Sequence, residues 1–228
     1  MRHIVLDTET TGFNAETTDR IVEIGALELI NFVPTGKVFH QYINPERTIP
    51  AEVVAVHGID DAMVRDKPVY AQIVDELDRF IGTDSQLVIH NAEFDMRFLN
   101  AEYKRLGLPP LPMSRAIDTL AMARKMFPGA PASLDALCKR YNIDISARVY
   151  HGALLDARLL ADVFLELSGG HQPQFLASRA EEEEAQSHDV GNIGTLWPVR
   201  AFPVPAEEEA AHAAMLATIK DAIWTKAA

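Results

Sequence analysis

Asp7 and Glu9 stand two residues apart behind the apolar run Ile4-Val5-Leu6, so on a strand both carboxylates leave the same face at its C-terminal end. Side by side they repel, and a cation between them relieves the repulsion. Such a pair is ordinarily just solvated; the apolar strand in front of it is what brings a functional reading level with that one. A third carboxylate, Asp95, closes His90-Asn91-Ala92-Glu93-Phe94-Asp95 after a second apolar run, Leu87-Val88-Ile89. Taken alone, it reads as a negative charge in the first turn of a helix capped by Asn91. A fourth, Asp156, closes His151-Gly152-Ala153-Leu154-Leu155-Asp156, where the ordinary readings are a capping histidine and a surface aspartate. Four carboxylates with no cysteine cluster make an oxygen-donor set suited to Mg²⁺ or Mn²⁺ rather than Zn²⁺.

Taken in order, Asp-x-Glu after the first strand, Asp in Asn-Ala-x-Phe-Asp, and His-x-Ala-x-x-Asp resemble the three exonuclease motifs of the DEDD superfamily in its histidine subclass. The resemblance extends between the motifs. Residues 4 to 12 (IVLDTETTG), Val56-His57-Gly58-Ile59, residues 87 to 95 (LVIHNAEFD), Asp118-Thr119-Leu120, Arg124 to Gly129 and Ser133 to Tyr141 (SLDALCKRY) are similar to the proofreading epsilon subunits of bacterial DNA polymerase III. It covers essentially residues 2 to 170, beyond which only the layout is similar, and no motif residue departs from the catalytic pattern.

The resemblance implies a ribonuclease H-like fold and a metal-dependent 3′–5′ exonuclease that removes mismatched 3′-terminal nucleotides from DNA as nucleoside 5′-monophosphates. It implies two divalent cations, Mg²⁺ or Mn²⁺: Asp7 bridges both, Glu9 and Asp156 complete one site, and Asp95 acts on the other largely through water. His151 is then the general base, a role its ordinary pKa near 6.5 suits. Asp7, Glu9, Asp156, Thr11, His57 and the main chain around Thr8 fall near the terminal nucleotide, with Phe94 as an apolar wall beside its bases. Core packing competes for Phe94, and turn formation for His57. A ribonuclease trimming RNA ends would use the same ligands, and an interaction subunit that stabilises a polymerase assembly is a reading of a different class.

These residues need a sheet to hold them. Ile4 to Leu6 reads as a buried strand opening into a polar turn, Ile21 to Ile30 as a second strand and Lys37 to Ile43 as a third. Helical periodicity covers Val69 to Ile81, Glu93 to Leu106, Thr119 to Met126, Ser133 to Tyr141 and Ala153 to Leu167, with the strand Leu87 to Ile89 between the first two. Strands followed by alternating helices and strands predict an α/β domain with a mixed sheet flanked by helices. Cys138, the single cysteine, falls in the pattern Leu134, Leu137, Cys138 and reads as core.

With 228 residues and 48% hydrophobic content, one good core and an appended segment are expected. Ser168-Gly169-Gly170 ends the last helix, so the nuclease domain is placed at 1 to 170, a flexible linker at 171 to 198 and a C-terminal segment at 199 to 228. There, Met215, Leu216, Ile219 and Ile223 make an apolar stripe on a helix from Glu207 to Trp224, begun by glutamates and ended by Lys220 and Lys226. Such a helix either folds back or docks on a partner, here the polymerase catalytic (alpha) subunit, with the linker as tether. Gln172 to Leu176 has a faint likeness to a sliding-clamp-binding peptide, against the ordinary linker reading, and a small accessory subunit is a further partner left open. The net charge of −12, from 21 basic and 33 acidic residues, argues against gripping a nucleic-acid backbone by the chain's own field. Cations and a partner that delivers the 3′ end must help. With neither a signal-peptide pattern nor a long apolar run, a cytoplasmic protein without membrane contact is expected, and the resemblance implies a place in the replisome.

Overall fold

The computed structural model describes residues 1–146, 150–169 and 205–219. In chain order the elements are β1 (Arg2–Thr10), β2 (Ile21–Ile30), β3 (Val33–Tyr42), α1 (Ala51–His57), α2 (Asp61–Val64), α3 (Tyr70–Ile81), β4 (Gln86–Ile89), α4 (Ala92–Arg105), β5 (Ala116–Asp118), α5 (Thr119–Met126), α6 (Leu134–Tyr141), α7 (Ala153–Leu167) and α8 (Ala206–Thr218). A single 3₁₀ turn, Met113–Arg115, precedes β5.

The five strands form one sheet in the order β3-β2-β1-β4-β5. β1 is central, antiparallel to β2 and parallel to β4. The sheet is therefore mixed, as expected. Alternation along β1 divides the core in two. Ile4 and Leu6 pack with Ile24, Leu77, Met96 and Phe98 on the face covered by α3 and α4. Val5 packs with Leu27, Leu29, Val88, Leu160 and Val163 on the face covered by α5, α6 and α7. Buried on both sides, β2 is enclosed along all but its last residue. Cys138 lies in the second core, as read.

Several local features depart from the expectations. β1 runs on through Asp7 and Glu9 to Thr10, because β2 pairs with it along that whole length. β3 begins at Val33, four residues early, directly after a turn in which Asn31 and Phe32 both have positive φ (51° and 67°). That left-handed pair matches the twist of a tight hairpin, and Phe32 is held there by rings of His3 and Phe164 at 5.2 and 5.4 Å. Where only a turn at 56–59 is legible, α1 and α2 form. Asn91 precedes α4 but its side chain does not cap it: at φ 66° the residue is left-handed, outside the extended conformation a capping side chain requires. Capping works as expected at Ser133, which accepts from Ala136 N–H.

The chain divides into two compact units, Met1–Ala177 and Ser178–Ala228. In the second, α8 carries Glu207, Glu208 and Glu209 in its first turn and buries no residue. The expected helix is shorter here: Ile219 follows it in extended conformation, and Lys220, Ile223, Trp224 and Lys226 lie outside the described residues, as do the linker, Gln172 to Leu176 and residues 199–204. Among the described residues no helix is long and apolar enough to cross a membrane.

Candidate active site

The register of β1 and β2 sets the floor of the site. Asp7 lies opposite Gly25, and Glu9 opposite Glu23, so all four share the α7 face of the sheet. The Asp7 carboxyl is pushed well above the ordinary carboxylate range, first by burial and then by the neighbouring carboxylates of Asp95, Glu9, Asp156 and Glu23.

Asp95 arrives from the other side. The turn before α4 is pinned by Asp118, which accepts Asn91 N–H at 3.1 Å while capping α5 at Leu120 and Ala121. His90 Nδ1 also lies 2.9 Å from the Thr119 hydroxyl. The first turn of α4 thereby brings Asp95 to the end of β1, where one carboxyl oxygen accepts from Thr8 N–H (3.1 Å) and the Thr8 hydroxyl (2.7 Å). Burial raises the pKa of Asp95 to about 7, against the lowering effect of those two bonds. Phe98 and Leu99, completely buried, anchor the helix behind it.

α7 supplies the remaining groups. Its leucines and Val163 bury one flank, and Asp156, one turn from the start, is 3% exposed. His151 stands just before the helix, half exposed, with its backbone N–H donating to Val56 O at 3.3 Å. Its Nδ1 lies 3.4 Å from Asp156 Oδ2. Glu9, His151 and Asp156 each place one ligand atom within 4.8 Å of the others. Hard oxygen donors crowded around a buried carboxyl fit a divalent cation, and Glu9 and Asp156, beside Asp7, are placed to hold one.

The other sequence candidates are His57, Thr11 and Phe94. His57, the buried last residue of α1, accepts Ile59 N–H through Nδ1 at 3.0 Å, and burial lowers its pKa. Thr11 borders a cleft of about 310 Å³ with Phe13 and Val53. Its hydroxyl, however, is engaged within the loop, donating to Asp19 at 3.3 Å and accepting Arg20 N–H at 3.1 Å. Phe94 is half-buried, packing on Phe98 at 4.9 Å, with the ring of Phe13 at 6.3 Å. Phe13 is 81% exposed, an apolar ring offered to solvent beside Phe94 that the sequence reading missed; only its place after Gly12 hinted at it. Glu23, a buried acid behind Glu9, was missed as well, since in an alternating strand it reads as an outward-facing residue.

An exonuclease family model matches residues 4–164. Epsilon subunits of DNA polymerase III from Rickettsia felis are 53% identical over 178 residues, 77% of each chain. The Escherichia coli epsilon subunit is 43% identical over 224 residues, 94% of this chain and 92% of that one. Among solved structures, exonuclease X in complex with 5′ overhanging duplex DNA superimposes with a TM-score of 0.57 at 29% identity, covering 72% of this chain and 90% of that one. The nuclease domain of 3′hExo, a DEDDh family member bound to rAMP, shares the fold at 20% identity with a TM-score of 0.62, covering 74% and 92%. With three motifs on one sheet end and relatives matching along nearly the whole length, the chain belongs to the exonuclease family and, within it, groups with the epsilon subunits of bacterial DNA polymerase III.

Proposed function

We propose that this protein is the proofreading 3′–5′ exodeoxyribonuclease of a bacterial replicative polymerase, hydrolysing the terminal phosphodiester of a frayed 3′ end and releasing nucleoside 5′-monophosphates. The convergence of Asp7, Glu9, Asp95, Asp156 and His151 from β1, α4 and α7 on one sheet end carries this reading. The chemistry must provide a nucleophile at neutral pH and cover for negative charge on the phosphoryl group. Two divalent cations, Mg²⁺ or Mn²⁺, supply Lewis-acid activation of water and neutralisation of phosphoryl charge when bound. Asp7, Glu9 and Asp156 are the inner ligands in this assignment, and Asp95, committed to Thr8, acts through the outer side of the cluster. His151 takes the proton of the attacking water and, being half exposed, hands it to solvent. Phe13 and Phe94 offer rings to the last bases. That contact is indifferent to base identity, so selection falls to the ease of unpairing, which a mismatch favours.

The polymerase catalytic subunit is the assigned partner of residues 199–228, and the replisome in the cytoplasm the assigned location. The apolar residues Met215, Leu216, Ile219 and Ile223 of the sequence and the relatives' names support this. A 5′-labelled primer–template, paired or mismatched at its 3′ end, tests the function with Mg²⁺ or EDTA. The expected result is a stepwise ladder, faster on the mismatch and abolished by EDTA or by Asp7→Ala. A ladder on RNA but none on DNA would transfer the assignment to RNA trimming, and no ladder on either would leave only the interaction-subunit role.

A further inference from the structure

Glu23 is 2% exposed and lies directly across the β1–β2 pair from Glu9. Facing carboxylates on paired strands repel, and a buried carboxylate persists only where its oxygens find partners. Both oxygens of Glu23 have one. Oε1 is 2.6 Å from Nε2 of His40 on β3, and Oε2 accepts the backbone N–H of Ala153 at 3.0 Å. Ala153 is the first residue of α7, and the residue before it, Gly152, has no side chain with which to cap the helix. The sheet therefore does the capping: Glu23 satisfies an otherwise orphaned helix N–H and sets a negative group at the positive end of the helix.

Two residues further along β2, Gly25 completes the seat. A Cβ at Gly25 would fall 2.1 Å from Leu154 N and 2.2 Å from the Ala153 carbonyl carbon. The first turn of α7 thus rests on bare β2 backbone at Gly25 and is bonded to it at Glu23. Asp156 lies one turn up the same helix, and His151 two residues before Ala153. Whatever sets Ala153 against β2 also sets both of these relative to Glu9.

We infer that Glu23, braced by His40, is a positioning residue: it fixes the first turn of α7 on β2 and so sets the spacing of Asp156 and His151 from Glu9 without itself meeting substrate or cation. Each of its oxygens has a partner, and Glu23 is not among the residues whose ligand atoms converge beside it. The inference rests on the site proposed above.

Glu23→Ala tests it in the full-length protein. Because a misplacement of about 1 Å costs on the order of 10²-fold in rate, kcat on a single-stranded DNA oligonucleotide should fall roughly 10- to 100-fold, with KM changing less than about threefold. In metal-free protein, amide hydrogen exchange at Ala153 should quicken by about 10-fold or more, and Mn²⁺ binding measured calorimetrically without DNA should weaken. Glu23→Gln keeps an oxygen for Ala153 and offers N–H to His40, so it should return kcat to within about threefold of wild type. His40→Ala, which removes only the brace, should fall between the two and decides the matter if Glu23→Ala fails to fold. Wild-type kcat or unchanged Ala153 exchange in Glu23→Ala, or in His40→Ala where Glu23→Ala does not fold, overturns the inference, as does a Gln variant as slow as the Ala one. Amide exchange and Mn²⁺ binding are read without nucleic acid, so an inactive wild type with these shifts intact would sink the proposed function and leave the positioning role standing.

Discussion

A carboxyl group buried as deeply as that of Asp95 ionises only by giving up water, and its pKa of about 7 records that cost. The unfolded chain releases this proton near the ordinary value of 3.8. Between these limits the folded state binds more protons, so this group's contribution to stability falls as pH rises from about 4 through about 7. His3, His57 and His90 pull the other way, since burial lowers each of them and the folded state then binds fewer protons. The difference between two proteins cancels the histidines and leaves Asp95 together with its effect on Asp7. In EDTA, Asp95→Asn should raise Tm at pH 8 more than at pH 5, as measured by scanning calorimetry; an equal change at both would mean that Asp95 is not the group responsible. Adding Mn²⁺ to wild type at pH 7 should release protons, seen as a binding heat that varies with the ionisation enthalpy of the buffer. The four acids and His151 were legible through the resemblance of their three motifs taken together; singly, each reads as a solvated, helix-capping or surface residue. Glu23 and Phe13 were not, because a pairing register and a loop conformation decide what they face.

At the scale of elements, the site is as accurate as the seating of α7. Gly25 has an ordinary extended backbone and is required for space alone. Gly25→Ala should lift the first turn of α7, costing about 1–3 kcal/mol in a urea titration and lowering kcat far more than KM. A variant of wild-type stability and rate would show that the helix can shift freely. The longer elements were readable from their periodicity: β2, α3, α4, α6 and α7 bury one flank or both at regular intervals. The three residues of β5 and the seven of α1 are too short to display a period, and they exist because the neighbouring β4 and the Gly58 turn complete them. Asn91 carried the right residue type for a cap, yet Asp118 reached in from another strand to pin the turn instead.

The whole molecule, with a net charge of −12, attracts a polyanion weakly, which places the delivery of a 3′ end with a partner. Truncation after Gly170 should leave oligonucleotide hydrolysis within about twofold of the full chain and abolish co-elution with the polymerase catalytic subunit in size-exclusion chromatography; co-elution of the truncated protein would move the docking surface onto the nuclease itself. The order of assembly carries another consequence. β1 is the first strand made, but its parallel partner β4 begins 84 residues after β1 does, and the helix that delivers Asp156 begins only at Ala153. In the proposed assignment, a chain synthesised only as far as α4 holds Asp7, Glu9 and Asp95 without Asp156 or His151, so it would have no complete site while it emerges amid messenger and ribosomal RNA. In the proposed assignment hydrolysis would begin only once α7, the last described helix of that unit, has folded, which would make the completion of folding the safety catch of the enzyme.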